Sequence, residues 1–176
     1  MQKYIALFRG INVSGKNILP MKELVPILVR MGAADVKTYI QSGNVVFTSS
    51  QVLAQSWCRG LEAAIQKEKD FTPKILLLTK KELDKAIANN PFPTEDGKTL
   101  HCFFLAAQVE QEFLQQIAQI KTSSEKVCLK EQVFYLYTPE GFGRSKLAAR
   151  VEKLLGVPAT ARNWNTVLKL ARLSDA

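Results

Sequence analysis

The pattern of apolar and polar residues along the first half of the chain predicts an alternating series of strands and helices. A continuous apolar run opens the chain and indicates a buried strand, and apolar residues three and four positions apart indicate amphipathic helices. Pro20 suits the first turn of the first helix and Gly32 suits its end. The predicted elements are, in order, a strand, a helix, two strands, a helix and a strand, at residues 3–9, 20–30, 36–40, 44–48, 53–65 and 75–78.

The second half of the chain repeats this order of elements with little similarity in sequence. A short helix near residues 83–87 and the segment Asn90–Pro93 separate the two series. The second series consists of a strand, a helix, two strands, a helix, a short strand and a terminal helix, at residues 100–105, 109–120, 126–130, 133–137, 147–155, 159–161 and 164–171. The repeated order predicts a structural duplication.

Each series has the β-α-β-β-α-β order of a ferredoxin-like unit. The sequence therefore predicts an α+β protein built from a tandem pair of ferredoxin-like halves, with largely antiparallel sheets and helices packed on one face. We expect a first half at residues 1–78, a bridging helix and loop at 79–98, and a second half with the terminal helix at 99–176.

The segment GINVSGKN, residues 10–17, resembles a phosphate-binding loop in its spacing. The template G-x-x-x-x-G-K-[ST] is matched by Gly10, Gly15 and Lys16, and only Asn17 departs from it. In a phosphate-binding loop the helix begins at the lysine, whereas here it is predicted to begin several residues later, at Pro20. The hairpin predicted at residues 36–48 also does not occur in the parallel sheet of phosphate-loop proteins. We therefore expect no nucleotide triphosphatase. Two readings stay open, an anion-receptive loop and a structural loop whose glycines make turns and whose asparagines cap it.

The predicted topology brings polar residues together at the ends of strands. In each half the first two strands, and likewise the last two, run parallel, so the loop at 9–17 lies beside the turn at 41–44, and the segment at 144–146 neighbours the one at 162–165. Whether the two clusters meet is left open. The candidate ligand-binding residues are Arg9, Gly10, Asn12, Gly15, Lys16, Asn17, Gln41, Ser42, Asn44, Arg144, Ser145, Lys146, Arg162, Asn163 and Asn165.

The charge of the chain is positive and uneven. There are 24 basic and 16 acidic residues, for a formal net charge of +8. Residues 1–22 contain basic side chains and no acid, and residues 141–173 contain Glu152 as their one acid. This excess favours partners that carry phosphate, such as phosphorylated small molecules, nucleotides or nucleic acid. The alternative is a set of ordinary solvated helix faces.

No familiar catalytic or metal-binding constellation stands out. The single histidine, His101, adjoins Cys102 in a predicted strand, where neighbouring side chains point to opposite faces. The 3 cysteines have no C-x-x-C spacing, which argues against zinc and against a disulfide framework. We expect no cofactor and no metal, and catalytic residues are not identified, so enzymatic activity stays open.

The cysteine content also bears on the compartment. An odd number of cysteines without a disulfide pattern is typical of a reducing cytoplasm. The chain does not open with a signal-peptide pattern, and its longest apolar runs are far short of a membrane span. We expect a cytoplasmic protein without a membrane partner, and the sequence does not indicate the oligomeric state.

Five stretches together resemble a known family. RGINVSGKN and TYIQSGNVVF in the first half, NPFP at Asn90–Pro93, GFGRSKL at Gly141–Leu147 and TARNWNTVLKL at Thr160–Leu170 are similar to the bacterial family called domain of unknown function 1697. One departure is Ser14, where many relatives have glycine, which makes the loop less free to adopt positive φ. The resemblance implies a bacterial cytosolic protein with a compact α+β fold and no established activity, and it favours the shared polar stretches as a site.

Four functional hypotheses follow. The first is a protein that binds a small phosphorylated or nucleotide-like ligand through its basic loops. The second is a nucleic-acid-binding protein that uses the basic loop ends. The third is an enzyme of unknown reaction with an anion pocket, and the fourth is an interaction module without a ligand.

Overall fold

The computed structural model describes residues 1–176, which divide into two compact units. The first unit contains residues 1–85 and 169–176, and the second contains residues 86–168. The elements are β1 Gln2–Arg9, α1 Met21–Arg30, β2 Ala34–Tyr39, β3 Asn44–Ser49, α2 Gln55–Lys69, β4 Lys74–Thr79, α3 Lys80–Ala88, β5 Leu100–Leu105, α4 Gln111–Ile120, β6 Lys126–Lys130, β7 Val133–Tyr137, α5 Val151–Leu155, β8 Ala159–Asn163 and α6 Trp164–Asp175.

The first unit contains a four-stranded sheet in the order β2-β3-β1-β4. Every pair is antiparallel, so β1 and β2 run parallel to each other across β3. Helices α1 and α2 pack their apolar residues on one face of this sheet, where Leu24, Leu61 and Phe47 are buried. Trp57 is partly buried at the edge of this core, with its ring stacked on Phe47 and its Nε1 donating to the Met31 carbonyl at 3.0 Å.

The second unit repeats this topology with a sheet in the order β6-β7-β5-β8, again antiparallel throughout. Helices α4 and α5 supply the apolar residues that pack on one face, among them Ile117, Val151 and Leu155. Both sheets thus have the strand order of the ferredoxin-like fold. The predicted α+β class and tandem pair of ferredoxin-like halves are confirmed.

The central strands are buried on both faces. In β1, Ile5 and Leu7 are as fully buried as the residues that face the helices, and in β5 the same holds for Cys102 and Phe104. This two-sided burial explains why both strands appear in the sequence as continuous apolar runs and not as alternating ones. Burial raises the pKa of the Cys102 thiol to about 12, which keeps it protonated and unreactive at neutral pH.

The structure differs from the predicted element bounds mainly near the carboxyl end of the chain. Helix α5 begins at Val151, because residues 145–150 form turns instead of the predicted first helical turn. Strand β8 is longer than predicted and extends to Asn163. Residues 169–176, which include the last part of α6, lie with the first unit, whereas the whole terminal helix was expected to belong to the second half. Lys3 Nζ, which donates to the Ser174 carbonyl at 2.5 Å, is one contact that holds this segment there.

His101 lies in β5 on the face that carries the helices of the second unit. Its ring stacks on Phe142, with the ring centroids 3.7 Å apart. Its Nδ1 is buried and has no hydrogen-bond partner. Because burial disfavours the charged imidazolium, the pKa of His101 is lowered to about 4. The histidine is therefore a neutral core residue at neutral pH.

This burial predicts a pH-dependent stability. The unfolded chain takes up a proton on His101 near pH 6.5, whereas the folded chain takes it up near pH 4. The free energy of unfolding should therefore decrease as the pH falls from about 6.5 towards 4, by on the order of 2 kcal/mol for this partly exposed ring. Denaturant titrations across this range on the parent and on His101→Phe, which retains an aromatic ring, measure the effect. Equal pH slopes for the two proteins would contradict this account.

Candidate functional site

Residues 10–19, which connect β1 to α1, fold into a small hairpin that we call the hairpin loop. Val13 pairs with Lys16, and the Lys16 amide donates to the Val13 carbonyl at 2.9 Å. The residues at the tip, Ser14 and Gly15, have φ angles of 50° and 73°, as in a type I′ turn. A second rung follows, in which the Asn12 amide donates to the Asn17 carbonyl at 3.0 Å. Residues 12–17 therefore form a small hairpin, in which Asn12 and Asn17 have a left-handed backbone conformation.

The side chain of Asn12 fastens the base of this hairpin. Its Nδ2 donates to the Leu19 carbonyl at 2.8 Å and to the Gln41 carbonyl at 2.7 Å. Its Oδ1 accepts from the Leu19 amide at 2.7 Å. A carboxamide offers two donors and an acceptor, and here both ends are engaged with backbone. A further side-chain bond, from Asn17 Nδ2 to the Gly10 carbonyl at 2.8 Å, closes the hairpin from the other strand.

The turn between β2 and β3, residues 40–43, lies beside the hairpin loop through the bond between Asn12 and Gln41. The Phe8 amide donates to the Gly43 carbonyl at 2.8 Å. Gly43 has a φ of 81°, and a Cβ atom at this position would lie 2.3 Å from Cβ of Phe8, so only glycine fits. Asn44, which is fully buried, donates from Nδ2 to the Tyr39 carbonyl and to Ser42 Oγ. The topology of parallel β1 and β2 predicts this neighbourhood.

This geometry is not that of a phosphate-binding loop. Helix α1 begins at Met21, four residues after Asn17, and its first amide donates to Gln41 Oε1 at 3.4 Å. The amides of Asn12, Lys16 and Leu19 donate within the loop itself. The antiparallel sheet also lacks the parallel βαβ arrangement of that fold. The match to the phosphate-loop template is therefore coincidental.

The exposed side chains of the hairpin loop include one cation, that of Lys16. Lys16 directly follows the two tip residues, and Arg9 at the end of β1 is half-buried. Neither residues 9–22 nor residues 36–50 contain an acidic side chain. The other exposed candidate residues of these segments are Gly10, Gly15, Asn17, Gln41 and Ser42. We call residues 9–19 and 40–44 together the loop site.

In the second unit the predicted basic segment has different surroundings. A short 3₁₀ helix at Phe142–Arg144 follows β7, and Phe142 anchors it on His101. Ser145 is buried and its Oγ accepts from the Ala148 amide at 3.0 Å, which is a structural turn. Arg144 lines a small cleft of about 40 Å³ together with Glu125 and Glu140. Two carboxylates in the same cleft make it a poor site for an anion.

The remaining predicted residues of the second unit serve mainly the start of α6. Asn163 Oδ1 accepts from the Thr166 amide at 2.9 Å, the typical bond of a helix N-cap. Asn165 is exposed, and its side chain occupies the space where a Cβ on Gly97 would lie. Both asparagines therefore have local structural tasks.

Arg162 is separated from the basic segment by the alternation of the sheet. It pairs with Cys102, so its side chain points to the face opposite the one where Phe142 stacks on His101. Its Nη1 donates to the Ala161 carbonyl at 2.8 Å, and burial lowers its pKa to about 10. Lys146 is exposed. The structure thus brings together the candidate residues of the first unit, but it does not gather Arg144 and Arg162 into one cluster.

Two features of the surface were not predicted from the sequence. The cleft around Arg144 contains Glu125, which is buried and accepts from the Thr122 amide at 2.9 Å. Large apolar side chains at Val13, Ile18 and Ile40 are more than half exposed around the loop site. The exposed apolar side chains could have been predicted from the sequence, because Val13, Ile18 and Ile40 lie within or beside loops that otherwise contain mostly polar residues.

The structure shows no group of three or more histidine, cysteine or acidic residues that could hold a metal ion. None of its helices combines the length and the apolar character that crossing a membrane requires.

Comparison with known proteins places the chain in a family. The family model described as "Protein of unknown function (DUF1697)" matches residues 1–135. The chain belongs to the DUF1697 family. The matched range includes the hairpin loop, the β2–β3 turn and Asn90–Pro93, and the segments at 141–147 and 160–170 lie beyond it.

One solved structure similar to this DUF1697 protein is described as that of the conserved bacterial protein SP0830 from Streptococcus pneumoniae. It has 25% sequence identity, a TM-score of 0.78, and coverage of 98% of each chain. The similarity therefore extends over both units. Among curated proteins, none matches this chain.

The hairpin loop predicts unequal roles for its two asparagines. Asn12 and Asn17 both have a φ of 52°, so replacement by alanine carries the same backbone strain at each. Asn12→Ala removes three hydrogen bonds and leaves the buried Leu19 backbone without its side-chain partner, whereas Asn17→Ala removes one. We expect Asn12→Ala to cost about 1–3 kcal/mol more in unfolding free energy than Asn17→Ala. Equal losses in denaturant titrations of the two variants would show that Asn12 does not fasten the loop.

Proposed function

We propose that the loop site binds a small ligand through an anionic group, and that this ligand is phosphorylated or nucleotide-like. The observation that carries the proposal is the position of Lys16 on a hairpin whose backbone is already held by internal hydrogen bonds. The residues of this site come from the first unit. Its candidate ligand contacts are Arg9, Gly10, Gly15, Lys16, Gln41 and Ser42, and its backbone is held by Asn12, Asn17 and the buried Asn44.

The rigidity of the loop supports binding. A ligand that meets a preformed loop does not have to immobilise it, so less of the interaction energy is lost in ordering. Asn12, Asn17 and Gly43 hold the backbone, and the exposed ammonium of Lys16 is left for the ligand. A lysine acts on phosphate as a point charge that does not require one fixed geometry.

The local charge supports an anion as the recognised group. The sequence segments that form the loop site contain the exposed Lys16 and no carboxylate. In this respect the site differs from the cleft around Arg144, where Glu125 and Glu140 offset the positive charge. We therefore leave Arg144, Ser145, Lys146, Arg162, Asn163 and Asn165 out of the proposed site. The proposal concerns binding and assigns no catalytic group.

Replacing Lys16 tests this function. A thermal-shift screen of nucleotides and phosphorylated metabolites at two salt concentrations identifies a ligand, since a ligand that binds the folded state raises the melting temperature. For that ligand, Lys16→Ala should weaken binding by about 1.5–3 kcal/mol, the worth of one hydrogen bond to a charged group, with little change in stability. The measurement is the dissociation constant by calorimetry on the parent and the variant.

Lys81→Ala is the matched control for the net charge. Lys81 is an exposed lysine of α3 in the same unit, and its removal lowers the formal charge by the same amount. Equal effects of the two variants would mean that only overall charge matters. Binding of a labelled oligonucleotide, with an affinity that falls steeply as the salt concentration increases, would show that the ligand is nucleic acid and not a small molecule.

A further inference from the structure

Apolar side chains are exposed around the cation of the loop site. Val13, Ile18 and Ile40 are 59%, 54% and 52% exposed. The other large apolar residues exposed to a similar or greater degree are Met1, Val29 and Val52. Half of the exposed large apolar residues of the chain therefore fall in two short segments that hydrogen-bond to each other. Single exposed apolar residues are ordinary, but such a gathering on one surface calls for an explanation.

The hydrogen bonds of Asn12 hold together the backbone segments that carry these three residues. Val13 follows Asn12 directly. Ile18 precedes Leu19, whose amide and carbonyl both bond to the Asn12 side chain. Ile40 precedes Gln41, whose carbonyl accepts from Asn12 Nδ2. Each of the three apolar residues is thus the sequence neighbour either of Asn12 or of a residue that is hydrogen-bonded to the Asn12 side chain.

Lys16 belongs to the same surface, because it pairs with Val13 across the hairpin. The backbone at Ile40 adds a second observation. Its φ is 51°, a left-handed conformation that is unfavourable for a β-branched residue. A glycine or an asparagine is the usual residue where a turn needs a positive φ, so the isoleucine at this position is unexpected. Strained residues of this kind are found preferentially at binding sites.

We infer that the ligand of the loop site is an amphipathic phosphate, with its phosphate at Lys16 and an aliphatic or aromatic body against Val13, Ile18 and Ile40. This inference rests on the proposed binding of an anion by the same site. Ligand sites generally combine apolar contact surface with a few polar groups that fix orientation, and the loop site has this composition. Recognition of phosphate alone would not require the three apolar side chains.

A series of n-alkyl phosphates, from methyl to hexyl, tests the inference with the whole protein. Each methylene that is fully buried strengthens binding about fourfold, so on an open surface we expect about a twofold gain per methylene. Calorimetric dissociation constants should therefore decrease steadily along the series. Binding of methyl phosphate that is lost in Lys16→Ala reports the anion site, and the gain with chain length reports the apolar surface.

Variants locate the apolar contact. Val13→Ser and Ile18→Ser should flatten the dependence on chain length, measured as the ratio of the dissociation constants for methyl and hexyl phosphate. Val52 is 88% exposed and lies outside the loop site, so Val52→Ser should not change the dependence of affinity on chain length. Melting temperatures of the three variants serve as the check that each is folded.

The outcomes separate the two proposals. Equal affinities for all alkyl phosphates, with methyl phosphate still dependent on Lys16, would overturn the amphipathic ligand and retain the anion site. Failure of every alkyl phosphate to bind, while a nucleotide or phosphorylated metabolite binds in a manner that depends on Lys16, would overturn the amphipathic ligand alone. Failure of all these compounds to bind would overturn both. Cosedimentation with anionic phospholipid vesicles, at concentrations where hexyl phosphate does not bind, would assign the surface to a membrane and overturn the small-molecule ligand.

Discussion

The loop site depends on the side-chain amide of Asn12. This one carboxamide bonds to the amide and carbonyl of Leu19, where the chain enters α1, and to the carbonyl of Gln41 in the β2–β3 turn. Leu19 is fully buried, so its backbone groups require partners inside the protein. With these bonds made, a ten-residue connection behaves as a fixed extension of the sheet, and Lys16 has a defined position.

The fold provides the setting in which this amide can act. Because β1 and β2 run parallel across β3, the loop after β1 and the turn after β2 leave the sheet at the same end. Gly43 lets the turn approach Phe8 more closely than any other residue would allow. The second unit has the same topology, but its corresponding connections are short, with residues 106–110 between β5 and α4 and residues 131–132 between β6 and β7. A duplicated fold therefore does not imply a duplicated site.

Most of the fold could be predicted from apolar periodicity, because the strands and helices bury regular faces. The strands β5, β6 and β7 have the predicted bounds, and the ferredoxin-like order follows from the order of elements. The turns at 145–150 could not be predicted, since Leu147 is buried and continues the helical spacing without being helical. Nor could the placement of residues 169–176, which depends on distant contacts such as that of Lys3 with Ser174.

The candidate site was predictable only in part. The predicted topology indicated that the hairpin loop and the turn are neighbours. The hydrogen bonds by which Asn12 joins them could not be predicted from the sequence, because they depend on distances between atoms. Arg144 and Arg162 were expected to be neighbours because their strands end together. The pairing of Arg162 with Cys102 directs its side chain to the opposite face, and this register is not readable from one sequence. The carboxylates of Glu125 and Glu140 near Arg144 come from other parts of the chain.

Amide hydrogen exchange shows whether the hairpin loop is rigid before any ligand binds. Exchange of the Leu19 amide, which donates to Asn12 Oδ1 at 2.7 Å, can be followed by nuclear magnetic resonance on the unliganded protein. In a preformed loop we expect this amide to exchange slowly, as do the amides in the centre of β1. Exchange at the rate of an unprotected loop amide would show that the loop opens freely, and would contradict a preformed site.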